Sequence, residues 1–187
     1  MGKEDMEGAV FVILHRHKFI YFMCLMFVLL SEGGKCKSRN FGYLRPIPEI
    51  LRNYTMQWEA IEFGNISLIG RNLKYDSDQG TLAVKQGGSY FFHLTLHFTS
   101  TALDTVSSRV NVTLESATLV LLSCEVELPA VGQLMMPVTK TCWAVRNVKR
   151  DSRLCAQMIV HSETDNVFGW KLLSNGSGFL IHRVYGP

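Results

Sequence analysis

An alternating run from Ser89 to Thr99, SYFFHLTLHFT, constrains the fold of this chain more than any other feature. Successive side chains of a β-strand point to opposite faces, so one face of this run is wholly apolar. The other face is mostly polar, but it begins with Phe91 and His93, which is more than a solvated face requires. The run therefore predicts a core strand whose second face is covered by another surface. The apolar face consists of Tyr90, Phe92, Leu94, Leu96 and Phe98.

The rest of the chain repeats this β-type pattern in short pieces separated by turn residues such as Gly87-Gly88. No stretch of ten or more residues has an amphipathic helical period. At least eight strands in about 120 residues imply two packed antiparallel sheets, so the sequence predicts an all-β sandwich. The other predicted strands are Gln57–Phe63, Thr81–Lys85, Val110–Glu115, Leu119–Leu128, Thr141–Val148, Leu154–Val160 and Val167–Leu173.

An apolar segment near the N-terminus, FIYFMCLMFVLL from Phe19 to Leu30, predicts targeting to the secretory pathway. Its twelve residues are fewer than the ~20 that span a bilayer, and this favours a signal peptide cleaved after Gly33. Lys18 and Lys35 bracket sixteen residues, however, and snorkelling lysines allow such a segment to span a thin bilayer. Residues 19–33 are therefore predicted as a signal-anchor or a signal peptide. Residues 1–18 form an N-terminal segment, which is cytoplasmic if the anchor is retained.

Four Asn-x-Ser/Thr sequons follow the apolar segment and agree with a secretory route. We predict N-glycosylation at Asn53, Asn65, Asn111 and Asn175.

Charge and motif content argue against several function classes. The chain carries 19 Lys and Arg against 16 Asp and Glu, and these basic residues are scattered along the sequence, so nucleic acid is not an expected partner. No nucleophile elbow, HExxH helix, Walker loop or Rossmann glycine pattern is present, and we predict neither an enzyme nor a cofactor. His93 and His97 lie ~13 Å apart along an extended strand, too far to share one metal ion.

Three stretches, in their order and spacing, resemble the tumour necrosis factor ligand superfamily. The first is Thr81–Val84 followed by Gly88–Phe92. The second is Leu122-Ser123-Cys124 followed after a loop by Thr141–Ala144, and the third is Val167–Leu173 (VFGWKLL). The resemblance covers residues 56–173. It implies a jelly-roll sandwich that forms homotrimers around a threefold axis, presented by a single-pass type II plasma-membrane protein with an extracellular C-terminus.

The resemblance also implies site residues. The trimer interface it indicates consists of Phe91, His93, Trp143, Val167 and Leu173. A neighbouring protomer on this face would provide the cover that the alternating strand requires.

The cysteines of the predicted sandwich allow three single pairings. The resemblance favours a disulfide between Cys124 and Cys142, which leaves Cys155 buried and free. Cys36 lies in the predicted stalk, either bridging two protomers or unpaired.

Residues 34–55, with Pro46 and Pro48 and no clear period, are expected to form a stalk. Residues 56–173 form the sandwich, and residues 174–187 form a C-terminal tail. In an alternative register, Gly178–Ile181 is the last strand.

The function implied is that of a cytokine ligand in immune regulation, which clusters receptors of the tumour necrosis factor receptor superfamily. Receptor contacts are expected on loops flanking the grooves between protomers, at Ile69–Gln79, Ser100–Ser108, Ala130–Met136 and Ser162–Asn166. The alternative is a secreted C1q-like or immunoglobulin-like recognition or adhesion module. Secretion after signal cleavage is likewise the alternative to membrane retention.

Overall fold

The alternating run forms the longest strand of a computed structural model that describes residues 40–47, 51–63, 66–100, 107–117, 119–130, 137–162 and 169–185. These residues contain no helix. In chain order the strands are β1 (Phe41–Pro46), β2 (Tyr54–Thr55), β3 (Trp58–Ala60), β4 (Glu62–Phe63), β5 (Ile66–Ser67), β6 (Leu73–Asp76), β7 (Thr81–Val84), β8 (Gly88–Ser100), β9 (Ser108–Ser116), β10 (Leu119–Leu128), β11 (Val138–Val148), β12 (Ser152–Ser162), β13 (Trp170–Leu172) and β14 (Gly178–Tyr185).

Two antiparallel sheets make up the sandwich, as predicted. Sheet 1 has the order β11-β8-β14-β1-β3, and β13 also pairs with β8. Sheet 2 has the order β10-β9-β12-β7-β6, and β2 also pairs with β12. A separate two-stranded ribbon joins β4 and β5. Strands β10 and β11 follow each other in sequence but lie at the edges of different sheets, so the chain passes between the sheets along one side of the sandwich.

The core lies between the sheets and is built largely on β8. Its inward residues Tyr90, Phe92, Leu96 and Phe98 are fully buried. From β14, the Phe179 ring lies parallel to that of Phe92, with centroids 6.3 Å apart. Sheet 2 closes the core with inward residues that are also buried, namely Val110, Val112, Leu114, Leu154, Ala156 and Met158.

The sandwich begins earlier than predicted, because part of the expected stalk is strand β1. Leu44 is 1% exposed and lies opposite Phe179 of β14. The prediction failed because Gly42 and Pro46 interrupt the apolar alternation that marks a half-buried strand. Pro46 is tolerated at the last position of the strand, next to Ile47, whose N–H donates to the carbonyl of Gln57.

The sandwich also ends later than predicted, because residues 178–185 of the expected tail form β14 in the middle of sheet 1. The strand pairs with β8 on one side and with β1 on the other. The alternative register, with a last strand from Gly178, is therefore correct. The strand predicted at Val167–Leu173 is confirmed only as Trp170–Leu172, and residues 167–168 lie outside the described residues.

Candidate functional site

The outward side of sheet 1 carries a cluster of apolar and aromatic side chains, which we call the aromatic face. Strand β8 contributes its outward residues, and the strand register places partners on both sides of them. On β11, Trp143 lies opposite His93 and Val145 lies opposite Phe91. On β14, residues 180 and 182 lie opposite the same two positions. The aromatic face therefore comprises Phe91, His93, Trp143, Val145, Leu180 and His182.

The rings of this face lie next to one another, stacked for Phe91 and His93 along β8 and tilted for Phe91 and Trp143 across β8 and β11. The centroid of the Phe91 ring lies 6.3 Å from that of His93 and 6.3 Å from that of Trp143. Trp143 is nevertheless 67% exposed and Val145 47% exposed. Exposed apolar patches of this kind mark interaction sites on soluble proteins.

Charged side chains are confined to the margins of the aromatic face. Arg45 on β1 donates to the Glu59 carboxylate of β3 at 2.7 Å, so the two charges offset each other. Lys171 on β13 lies opposite Thr99, beyond the end of the cluster. A partner that covers the aromatic face would therefore desolvate few charges.

Three histidines lie on the outward side of sheet 1, and we call them the face histidines: His93, His97 and His182. Burial lowers the pKa of each below its ordinary value of 6.5. The Nδ1 of His97 lies 2.6 Å from the Thr139 hydroxyl. Loss of solvation disfavours the imidazolium form, so the face histidines are neutral at physiological pH.

The structure brings together three of the five residues predicted for the interface, namely Phe91, His93 and Trp143. Leu173 follows β13 and lies beside a more distant part of β8, where its N–H donates to the carbonyl of His97. Val167 lies outside the described residues. Whether these residues form an interface stays a prediction.

Sequence reasoning missed the other members of the aromatic face, Val145, Leu180 and His182. The signal for the last two was present, because Leu180 and His182 alternate with the buried Phe179 and Ile181. The expectation of a tail after residue 173 obscured that alternation.

The predicted disulfide between Cys124 and Cys142 is confirmed, with a Cα–Cα distance of 5.7 Å. It joins β10 to β11 and so ties together the edge strands of the two sheets. Trp143 follows Cys142 directly, so the same link anchors the edge of the aromatic face. Cys155 is free, as expected, but only partly buried.

The described sequons lie away from the centre of the aromatic face. Asn53 accepts a hydrogen bond through Oδ1 from the Val160 N–H at 2.7 Å, next to sheet 2. Asn111 lies on the outward side of sheet 2, where Ser123 donates to its Oδ1 at 3.1 Å. Asn175 is exposed in the turn between β13 and β14. Asn65 lies outside the described residues, and glycosylation at all four asparagines stays a prediction.

An open groove of about 760 Å³ lies at one end of sheet 2, and Arg109, Glu127 and His161 contribute to its lining. Arg109 forms ion pairs with Glu125 at 3.2 Å and Glu127 at 3.3 Å. The charge of Arg109 is therefore engaged by these two carboxylates.

The sequence matches no protein-family model and no curated protein. Within the described ranges there is no helix long and apolar enough to cross a membrane. The apolar segment predicted as an anchor or signal, residues 19–33, lies outside those ranges.

Proposed function

We propose that this chain is a homotrimeric cytokine ligand that binds and clusters receptors of the tumour necrosis factor receptor superfamily. The observation that carries the proposal is the aromatic face. It combines adjacent rings, a largely exposed Trp143 and a near absence of charge, which together favour burial against another protein. Further copies of the chain would provide that cover.

The path of the chain supports the jelly-roll part of the proposal. From β7 to β14 the chain crosses repeatedly between the sheets, with β7, β9, β10 and β12 in sheet 2 and β8, β11, β13 and β14 in sheet 1. Crossing from sheet to sheet in this way is typical of double-sheet jelly rolls.

Threefold symmetry would turn such a protomer into a clustering device. A closed ring of three copies presents three identical grooves, and one elongated receptor in each groove would bring three receptors together. Signalling would then follow from the proximity of the receptors inside the other cell. The sequons and the N-terminal apolar segment are consistent with a plasma-membrane ligand whose C-terminal domain is extracellular.

An immunoglobulin-like module is the less favoured alternative. That architecture carries a disulfide between facing strands with a core tryptophan packed against it. Here the disulfide joins two edge strands, and its two cysteines are only 18 residues apart in sequence. A C1q-like module would differ from the proposed ligand in its binding partners, and the receptor-binding experiment below separates the two.

Sedimentation of residues 35–187, made in a secretory host, tests the assembly. We expect a stable trimer at micromolar concentration, and a stable monomer there would refute the proposal. Binding of the trimer to a panel of receptor-superfamily ectodomains then tests the function. We expect three receptors per trimer for at least one member, whereas a trimer that binds none of them would favour the C1q-like alternative.

A further inference from the structure

Basic residues that are far apart in the sequence converge at one end of the sandwich. They come from three segments, residues 71–74, 85–88 and 146–153. We call the resulting group the basic patch, and all of its members are exposed: Arg71, Lys74, Lys85, Arg146, Lys149, Arg150 and Arg153.

Strand pairing within sheet 2 brings the first members together. Lys74 of β6 and Arg153 of β12 both lie opposite Ala83 of β7, so they flank it on the same face. Adjacent strands are about 4.8 Å apart, which puts the two backbones ~10 Å from each other. Lys85 extends this row, because its N–H donates to the carbonyl of Asn72 at 2.8 Å.

The turn between β11 and β12 brings the remaining members to the same end. The Asp151 N–H donates to the Val84 carbonyl at 2.8 Å, which holds Lys149 and Arg150 beside Lys85. The backbone of this turn packs closely against Gly87, since a Cβ at that position would lie 3.1 Å from the Arg150 nitrogen. Arg146 lies opposite Tyr90 of β8, just before the turn.

The three segments that form the basic patch carry a large excess of positive charge. They contain seven basic residues and one acidic residue, Asp151, a net charge of +6 in a chain whose total is +3. Asp151 pairs with Arg150 at 3.4 Å, but both side chains are more than 70% exposed, so the pair is weak. Arg153 donates to Gln79, a neutral partner.

We infer that the basic patch binds a linear sulfated polysaccharide of the cell surface or extracellular matrix. Closely spaced arginines and lysines match a repeating series of sulfate and carboxylate groups. A guanidinium group can donate two parallel hydrogen bonds to one such oxyanion, and an ammonium group attracts it as a point charge. The sequons predict a secretory route, which favours an extracellular polyanion over nucleic acid. None of the exposed large apolar side chains of the described chain falls within the three segments, so the patch lacks an apolar wedge for a lipid surface.

Heparin binding by the full chain, made in a secretory host, tests this inference independently of self-association. The test variant is Lys85→Gln/Lys149→Gln. The matched control, Lys140→Gln/Lys171→Gln, removes the same charge from exposed positions at the opposite end of sheet 1, opposite Leu96 and Thr99. We expect the wild type to bind heparin in 150 mM salt. The test variant should bind about tenfold or more weakly and the control within about twofold, with a flatter salt dependence only in the test variant.

Several outcomes would overturn the inference. These are failure of the wild type to bind heparin, equal losses in the two variants, and undiminished binding to fully desulfated heparin. Binding to phosphatidylserine vesicles without binding to heparin would assign the patch to a lipid surface instead. If Lys85→Gln/Lys149→Gln does not fold, as judged by circular dichroism, Arg71→Gln/Lys74→Gln tests the same patch with the same expected loss.

Discussion

Replacing Trp143 by alanine should disrupt self-association and leave the folded protomer almost unchanged. Trp143 is 67% exposed in the single chain, so it contributes little to the core. A covered tryptophan buries about 150–250 Å², and two thirds of that, about 100–170 Å², is available to a partner. At ~25 cal/mol per Å², and allowing for the area that alanine retains, the loss is about 3 kcal/mol per protomer.

Three copies act together in a trimer, so the effect on assembly is large. The concentration of half-dissociation varies as the square root of the trimer dissociation constant, and we expect it to rise at least a hundredfold. The free energy of unfolding of the protomer should change by less than about 0.5 kcal/mol, as for other exposed positions.

Sedimentation across a dilution series measures the first quantity, and urea denaturation of the diluted monomer measures the second. Ile159→Ala is the matched control, because Ile159 is an exposed apolar residue on the other sheet. It should leave assembly unchanged. A Trp143→Ala protein that associates as tightly as the wild type would refute the assignment of the aromatic face as the interface.

Three further predictions test the fold and its response to pH. Removing the disulfide with Cys124→Ala/Cys142→Ala should lower the free energy of unfolding by ~3 kcal/mol in urea denaturation, because the bond closes a loop between cysteines 18 residues apart. Cys155→Ala is the control. Equal urea midpoints for the wild type, the double variant and the control would contradict this prediction. Leu44→Ala should lower the free energy of unfolding by about 2–5 kcal/mol in thermal or chemical unfolding, because Leu44 is 1% exposed. An unchanged stability would mean that residues 41–46 are a stalk and not part of the sandwich. Burial lowers the pKa of the face histidines, so the folded protein binds protons less readily than the unfolded chain. The stability that depends on these neutral histidines is then fully present above pH 6.5 and decreases as the pH falls below that value. Urea midpoints at pH 7.5 and 5.5 measure the decrease. His182→Asn should make the decrease smaller, and an unchanged decrease would show that burial of His182 is not its cause.

N-terminal sequencing of the cell-derived product distinguishes a retained anchor from cleavage after Gly33.

Local patterns in the sequence determined much of the fold. The alternation from Ser89 to Thr99 predicted a buried strand, and that strand is β8, an inner strand of sheet 1 between β11 and β14. The same alternation revealed Phe91 and His93 as outward residues in need of cover. A period of two is a property of the strand itself, so it is visible before any partner strand is known. The cysteine spacing left three pairings open, and the resemblance indicated the one that the structure contains.

Only the tertiary structure decided what meets across strands. Strand β1 belongs to the sandwich because β14 offers a free edge and Phe179 covers Leu44, and neither fact is local to residues 41–46. The pairing of β11 and β14 with β8 is what places Val145, Leu180 and His182 beside Phe91 and His93 on the aromatic face.

The basic patch is the clearest case of a property that the sequence did not determine. Its members span more than eighty positions, so they appear scattered along the chain, and composition gave no reason to expect a polyanion. Pairing of β6, β7 and β12, together with one turn, places these charges side by side. Strand alternation can be predicted from neighbouring residues. The aromatic face and the basic patch, however, depend on contacts between distant segments, which exist only once the two sheets have formed.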